Sequence, residues 1–391
     1  MAYTIRFVNP QRQYADHREE FIKAFDETLA RGAIVNREEL WQFEEGFAKF
    51  VGAKYAVGVN SGTSALDVAL QAAGIGAGDE VVTVAHTFMA SISTIAMTGA
   101  IPVLVDVGRD FNMDAKALER ALTPKTKAIL PVHLNGRLCD MEAIMDLAKR
   151  KGLIVIEDAA QALGATMQMA DGSVKKAGSF GLVGCFSLYW AKVLGGWGNN
   201  GVAVTDDPEV ARKLKLMRYN GEDRETRRFY YHAHNLLMDN VHAALLNIKL
   251  KYLPQWLERR KAIAARYRER LGGVKQLQLP HFDDPRFSDM YTNYAIRAER
   301  RDELKKHLDD NQLVETLISW PQPTYTEPVM LETRTRPERV EGWRFGDPSM
   351  ASLPETEKIC KEVLSLPLYP ELTDEEVDVV AEAVKAFYAS I

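Results

Sequence analysis

The sequence predicts an α/β fold, with a large domain built on a mainly parallel mixed sheet and a smaller C-terminal α+β domain. Three observations carry this reading. Short apolar runs alternate with segments of helical period from residue 55 to residue 156. After residue 180 the alternation gives way to two apolar runs that bracket a glycine-rich loop. The chain has 391 residues, more than one ordinary small domain and about right for two.

Residues 17–31 and 37–50 place apolar side chains at helical spacing, including Phe21, Ile22, Phe25 and Leu29, then Leu40, Phe43 and Phe47. Tyr55 to Val59 is a short apolar run ending in Asn60, Ser61 and Gly62, and Thr63 to Ala73 reads as a helix. The pattern continues with strands at 80–84, 102–105, 127–132 and 153–156, and with helices at 88–98, 114–121 and 140–150. Repeated strand–helix units call for parallel strands covered on both faces. Phe180–Leu188 and Gly201–Thr205 read as two further strands, and residues 218–235 form a polar, charged and aromatic stretch. A long helical segment runs from Asp239 to Leu271, with an interruption expected near Pro254. Beyond Pro280 come a strand-like run at Tyr294–Arg297, a helix near 300–310 and a closing helix at 373–390. Thr373, with Glu376 three residues on, has the pattern of a capping box. These elements divide the chain near residue 250: residues 1–250 as a large domain with an N-terminal helical segment, and 251–391 as a small one.

Composition excludes several classes. The formal net charge of -5 argues against bulk nucleic-acid binding, which needs a basic surface. Hydrophobic residues at 46% and charged residues at 26% supply a core and a soluble surface. Cys139, Cys185 and Cys360 are scattered, form no CxxC pair and are odd in number, so no disulfide framework is expected. That usage fits a reducing compartment and a cytoplasmic location. Met1–Arg6 lacks a basic stretch followed by an apolar one, so no signal peptide is expected. Between Glu80 and Asp106 the sole ionisable side chain is His86. Thr83, Thr87, Ser91, Gly99 and Pro102 interrupt that stretch, which favours buried strand, helix and strand over a membrane span.

Three segments carry chemistry. The turn Ser61-Gly62-Thr63-Ser64 joins a buried strand to a helix. The first amides of a helix are unpaired and partly positive, and the hydroxyls of Thr63 and Ser64 add donors, so the turn suits a phosphate. It equally suits a plain N-cap. Next, an apolar strand delivers Glu157 and Asp158 at its carboxyl end, where open α/β sheets place ligands. One of these acids suits a protonated pyridine nitrogen, and Gln161 suits a phenolate oxygen on the same ring; the alternative is an acid capping the next helix. Third, Lys192 stands alone among aromatic, aliphatic and glycine residues between Phe186 and Gly201. Burial disfavours an ammonium, so this lysine should offer a neutral amine for Schiff-base chemistry. The surrounding glycines would let the backbone approach a flat cofactor.

Together these segments resemble one family. Ser-Gly-Thr-Ser-Ala-Leu at 61–66, Gly78-Asp-Glu-Val-Val82, Thr87-Phe88, Pro131-Val-His-Leu134, Ile156-Glu-Asp-Ala-Ala-Gln161, Ser187 to Lys192 and Ser365-Leu-Pro-Leu-Tyr-Pro370 occur in that family's order and spacing. The chain resembles the DegT/DnrJ/EryC1/StrS sugar aminotransferases, which have the aspartate-aminotransferase (type I) fold. The resemblance implies pyridoxal 5'-phosphate as cofactor, with Lys192 as Schiff-base lysine and proton carrier and Asp158 as partner of the pyridine nitrogen. It implies Gln161 near the ring hydroxyl, Phe88 stacked on the ring, and Thr63, Ser64 and Ser187 on the phosphate. It implies that Asn235 reaches the phosphate bound by a neighbouring subunit, hence a homodimer with shared sites. It also implies glutamate as amino donor and a nucleotide-linked 3- or 4-keto-deoxyhexose as acceptor, in amino-sugar biosynthesis.

The chain departs from the family pattern in places. His86 replaces a usual proline, Asn199-Asn200 replaces a Gly-Asp-rich stretch, and Ala233-His-Asn-Leu-Leu237 lacks the arginine often found after the asparagine. Retention of the lysine disfavours the dehydratase branch. Other readings are a cofactor-dependent eliminase or isomerase and a cofactor-binding regulator without turnover. His232 and His234 have no third metal ligand at familiar spacing. Arg224 to Tyr231 reads as a contact for an anionic substrate or as a solvated loop. Trp320-Pro-Gln-Pro323 reads as pocket lining or as a rigid turn.

Overall fold

An eight-stranded mixed sheet frames the larger part of the chain. The structure, a computed structural model, describes residues 3–335, 342–347 and 349–390. In spatial order the strands are Tyr55–Val59, Gly201–Thr205, Val183–Ser187, Ile154–Asp158, Thr126–Ile129, Glu80–Val84, Ile101–Val105 and Arg344–Phe345. Gly201–Thr205 is antiparallel to both of its neighbours, and the remaining pairs are parallel. Every residue of Glu80–Val84 is buried, as a strand covered on both faces requires.

This topology determines where chemistry gathers. Tyr55–Val59 and Val183–Ser187 are each antiparallel to the strand between them, so they run in the same direction as the parallel strands beside them. Their carboxyl ends therefore share one edge of the sheet with those of Glu80–Val84 and Ile154–Asp158. At that edge Gly201 pairs with both Val59 and Ser187.

Helices cover the sheet where apolar stripes need burial. Glu38–Val51 buries Leu40, Phe43 and Phe47 and stops at Gly52, which takes the left-handed conformation that glycine adopts without strain. The helix Asn240–Leu271 is 32 residues long and passes through Pro254 unbroken, contrary to the interruption expected there. Pro254 lies on the exposed side, so the carbonyl it frees can turn to water. Its buried neighbours Leu253, Trp256 and Leu257 hold both halves in line by packing.

Some elements had no sequence signal strong enough to assign. Pro208–Met217 is a helix capped by Asp207, and Arg344–Phe345 is a two-residue strand that returns to the large sheet. A smaller antiparallel sheet joins Leu277–Gln278, Tyr294–Ala298 and Val363–Leu366. The closing helix Asp374–Ala389 carries the expected capping box of Thr373 and Glu376.

Among the described residues the two larger apolar cores separate. The first includes Phe43, Val57, Leu70, Val82, Ile129, Ile156 and Phe186. The second includes Tyr267, Tyr294, Leu304, Leu364 and Val380, with Ile5 from the N-terminal segment. The long helix contributes Leu246 and Trp256 to one core and Ile263 and Tyr267 to the other. We propose the division near residue 250 on the basis of these two cores. Among the described residues no helix is long and apolar enough to cross a membrane.

Gly201 is where the sheet edge tolerates no side chain. A Cβ there would lie 2.2 Å from the Ser61 carbonyl oxygen and 2.7 Å from the Gly62 nitrogen. Both are backbone atoms, so the strand end or the helix start must move. Gly201→Ala should cost about 3 kcal/mol in urea unfolding. Gly273→Ala, which meets nothing within 4 Å, should stay within about 0.5 kcal/mol of the parent.

Candidate active site

A cavity of about 490 Å³ opens at the shared sheet edge. Of the eight residues the resemblance assigns to catalysis and cofactor binding, six line it: Thr63, Phe88, Asp158, Gln161, Ser187 and Lys192. Two do not. The Ser64 amide donates to the Ser61 hydroxyl at 3.0 Å, and the Ser64 hydroxyl donates to Asn60 Oδ1 at 2.6 Å, so Ser64 is engaged in the helix cap. Asn235 is exposed and bridges to Tyr219, outside the cavity of its own chain.

The two acids at the end of Ile154–Asp158 have separate environments, because successive strand residues face opposite sides. Glu157 is fully buried and accepts from the amides of Gly178, Phe180 and Gly181 at 2.7–2.8 Å. The His133 ring also lies 3.0 Å from it. The Cys139 amide donates to His133 Nδ1, which therefore keeps its lone pair, and Nε2 carries the proton that faces Glu157. Glu157 thus organises the turn at 178–181. Asp158 faces the cavity instead. Its carboxylate accepts from Ser91 Oγ at 2.7 Å and from the Ala160 amide at 3.1 Å. Thr87 Oγ1 lies 2.9 Å from Ser91 Oγ, extending the network. Burial pushes the Asp158 carboxyl up, while Ser91, the Ala160 amide and Lys192 pull it back.

Lys192 lies in the loop between Val183–Ser187 and Gly201–Thr205 and is half-buried. Burial holds its amine below the ordinary lysine range, and the Asp158 charge pulls the other way. The loop is tied by the Lys192 amide to the Tyr189 carbonyl at 2.8 Å and by the Gly196 amide to the Leu188 carbonyl at 2.9 Å. Its glycines serve the chain rather than a bound ring, which corrects the sequence reading. A Cβ on Gly195 would sit 2.2 Å from the Trp190 carbonyl oxygen, and one on Gly196 would sit 2.6 Å from Asn200 Nδ2. These positions close a tight turn, and neither lines the cavity.

One end of the cavity is built for an anion. The helix Gly62–Ala72 starts there, with Ser61 as its cap. A Cβ on Gly62 would lie 2.7 Å from Ser187 Cβ, so this glycine brings the helix start against the strand end. The hydroxyls of Thr63 and Ser187 border the cavity at that junction. Phe88 lines the cavity and is 63% exposed, so its ring is not covered by the chain. Gln161 Oε1 accepts from the Asn135 amide at 2.9 Å, which leaves its NH2 as the free donor. An anion cradle, an open aromatic face, a carboxylate and a buried amine together fit pyridoxal phosphate.

The positions that depart from the family pattern have distinct fates. His86 is buried, burial pushes it down to about 3, and neither ring nitrogen has a hydrogen-bond partner among the described residues. Its ring meets Trp320 edge-on at 5.4 Å. Trp320 lines the cavity with φ 54°, a left-handed conformation unusual for a bulky residue. Asn199 and Asn200 also border the cavity. Leu237 bridges to Val59, away from the cavity. His232 and His234 are exposed, and among the described residues no group of three or more His, Cys, Asp or Glu could hold a metal. Glu222–Asp223 and Arg228–Phe229 pair as a small hairpin in which Phe229 is exposed. Sequence reasoning missed the role of Ser91. Its four-residue spacing from Thr87 is legible, but its bond to Asp158, 67 positions away, is not.

Comparison with known proteins agrees with this geometry. Residues 15–385 match the model of the DegT/DnrJ/EryC1/StrS aminotransferase family. A pleiotropic regulatory protein of Geobacillus stearothermophilus is 38% identical over 383 residues, covering 96% of each chain. The dTDP-3-amino-3,4,6-trideoxy-alpha-D-glucose transaminase of Streptomyces venezuelae is 37% identical, over 97% of this chain and 95% of that one. The crystal structure of S. venezuelae DesV in complex with a ketimine intermediate has a TM-score of 0.89 at 36% identity, covering 99% of this chain and 98% of that one. Pyridoxal phosphate is the cofactor of the family. The chain belongs to the DegT/DnrJ/EryC1/StrS aminotransferase family and is a pyridoxal-phosphate-dependent transaminase with the type I fold.

Proposed function

We propose that this transaminase moves an amino group from L-glutamate to a nucleotide-linked 3- or 4-keto-deoxyhexose, in amino-sugar biosynthesis in the cytoplasm. The observation that carries the reading is the meeting of Lys192 and Asp158 in one cavity, each drawn toward its neutral form by burial. The sugar acceptor is supported by relatives such as the S. venezuelae transaminase, whose name specifies a dTDP-linked amino sugar.

Each residue then has a task. The Lys192 amine would hold pyridoxal phosphate at its aldehyde carbon and, when free, would carry a proton to and from the donor's α-carbon. Bound in the cavity, pyridoxal phosphate supplies the carbonyl that takes up nitrogen and a ring that draws electron density from that carbon. Asp158 would keep the ring nitrogen of the bound cofactor protonated. A carboxylate held by Ser91 and the Ala160 amide in a partly dry site attracts that proton more strongly than one in water. The NH2 of Gln161 would donate to the ring oxygen, and Phe88 would stack on the ring. The hydroxyls of Thr63 and Ser187 and the first amides of the helix bind phosphate, while Ser64 supports them from within the cap. Asn235, exposed on its own chain, is assigned to the phosphate of a second copy, which makes the working unit a homodimer.

Two readings without transamination, a sugar eliminase or isomerase and a cofactor-binding regulator, make the opposite prediction for glutamate alone. A transaminase loaded with cofactor should bleach its visible band and release a stoichiometric amount of 2-oxoglutarate. No 2-oxoglutarate with glutamate would exclude this donor. Lys192→Ala should abolish turnover, and near-normal rates in that variant would refute the proposal.

The amine's shift gives a pH prediction. Only the neutral amine attacks, so capture of pyridoxal phosphate by the apo-protein should speed up as pH rises. Its midpoint should fall below the ordinary lysine value of 10.5. A midpoint at or above that value contradicts a buried amine.

The two acids should also separate. Asp158→Asn should lower kcat on the order of 100-fold or more with little change in stability. Glu157→Gln should instead lower the melting temperature, because four groups bond that carboxylate. Rate assays and thermal melts on both variants distinguish these outcomes from the reverse assignment.

A further inference from the structure

A second buried lysine lies against the loop that carries Lys192. Lys249, on the long helix, is 3% exposed. Its ammonium donates to the Gly195 carbonyl oxygen at 2.5 Å. It also sits 4.8 Å from the ring centre of Trp197 and 5.9 Å from that of Phe21. Phe21 and Tyr14, from the N-terminal helices, each meet Trp197 edge-on at 5.7 Å. A positive charge is thus enclosed by aromatic faces and one carbonyl, with no carboxylate bonded to it among the described residues.

The placement matters because of what the loop lacks. Residues 188–200 contain neither helix nor strand. Among the described residues, two side-chain hydrogen bonds enter residues 188–199 from outside: Ser187 Oγ accepts from the Tyr189 amide at the strand end, and Lys249, from a distant helix, donates to Gly195. Gly195 is three residues from Lys192, in a turn so tight that a Cβ on Gly195 would lie 2.2 Å from the Trp190 carbonyl oxygen. Burial draws the Lys249 ammonium down to about 8, with Glu371 pulling it back up.

We infer that Lys249 is a positioning residue of this transaminase: through the Gly195 carbonyl and the Trp197 ring it fixes the loop, so that the Lys192 amine meets the cofactor in one orientation. The inference rests on the reading that Lys192 bonds the cofactor. It also gives the N-terminal aromatic residues Tyr14 and Phe21 a part in the site, as the far wall around the ammonium.

The test is titration of full-length apo-protein with pyridoxal phosphate, together with a pH titration of the bound cofactor's visible absorption. Lys249→Met, similar in length but without charge or donor, should weaken cofactor binding about tenfold and move the absorption midpoint. Lys249→Gln keeps an N–H for Gly195 and should fall between Met and the parent. Trp197→Phe keeps a ring over the ammonium and should stay within about twofold of the parent. If Lys249→Met lowers only the melting temperature, with affinity and absorption midpoint at parental values, the positioning role is overturned. Should Lys249→Met fail to fold, parental values in Lys249→Gln overturn it in the same way. Failure of the functional reading looks different, because the parent protein itself then shows no cofactor absorption, and that result overturns both.

Discussion

The structure depends on one electrostatic arrangement: an amine and a carboxylate face each other across a partly dry cavity, where burial weakens the charge of each and their mutual attraction restores part of it. In water neither side chain would be notable. At the sheet edge, burial favours the neutral amine of Lys192 and raises the proton affinity of the Asp158 carboxylate. The rest of the fold brings these two groups from separate strand ends into one space and holds them there.

The sheet does this by topology. Gly201–Thr205 lies antiparallel between two strands whose carboxyl ends reach the cavity, so Ser61, Ser187 and the Lys192 loop converge around a single glycine. Close approach recurs at Gly62, Gly195, Gly196 and Gly201, where a methyl group would strike backbone or a packed side chain. Tight chain packing, more than room for a ligand, explains why this region is rich in glycine. The acids at the end of Ile154–Asp158 show the same economy. Glu157 binds the chain and Asp158 faces the cavity, on opposite sides of one strand.

Much of this was legible in the sequence, and the physical reason is locality. The alternation of strand and helix, the cap at Ser61, the lone Lys192 and the capping box at Thr373 depend on neighbours within a few residues. What was not legible depends on distant partners. The bond from Ser91 to Asp158, the bond from Lys249 to Gly195 and the strand Arg344–Phe345 have no local signature. Pro254 misled because its local preference is to break a helix, and packing on both sides outweighed one lost backbone bond. Adjacent acids were equally ambiguous, since only the strand's orientation assigns Asp158 to the cavity.

The N-terminal helices, the long helix and the Lys192 loop meet at Trp197, so parts of the chain remote in sequence share in holding the amine. The account's central claim is that this amine, and no other, bonds the cofactor. The most direct measurement is peptide mass spectrometry after borohydride reduction of the cofactor-loaded protein. The account predicts a single phosphopyridoxyl modification, on the peptide that contains Lys192. A modification on Lys249 or any other lysine, or none at all, would contradict it.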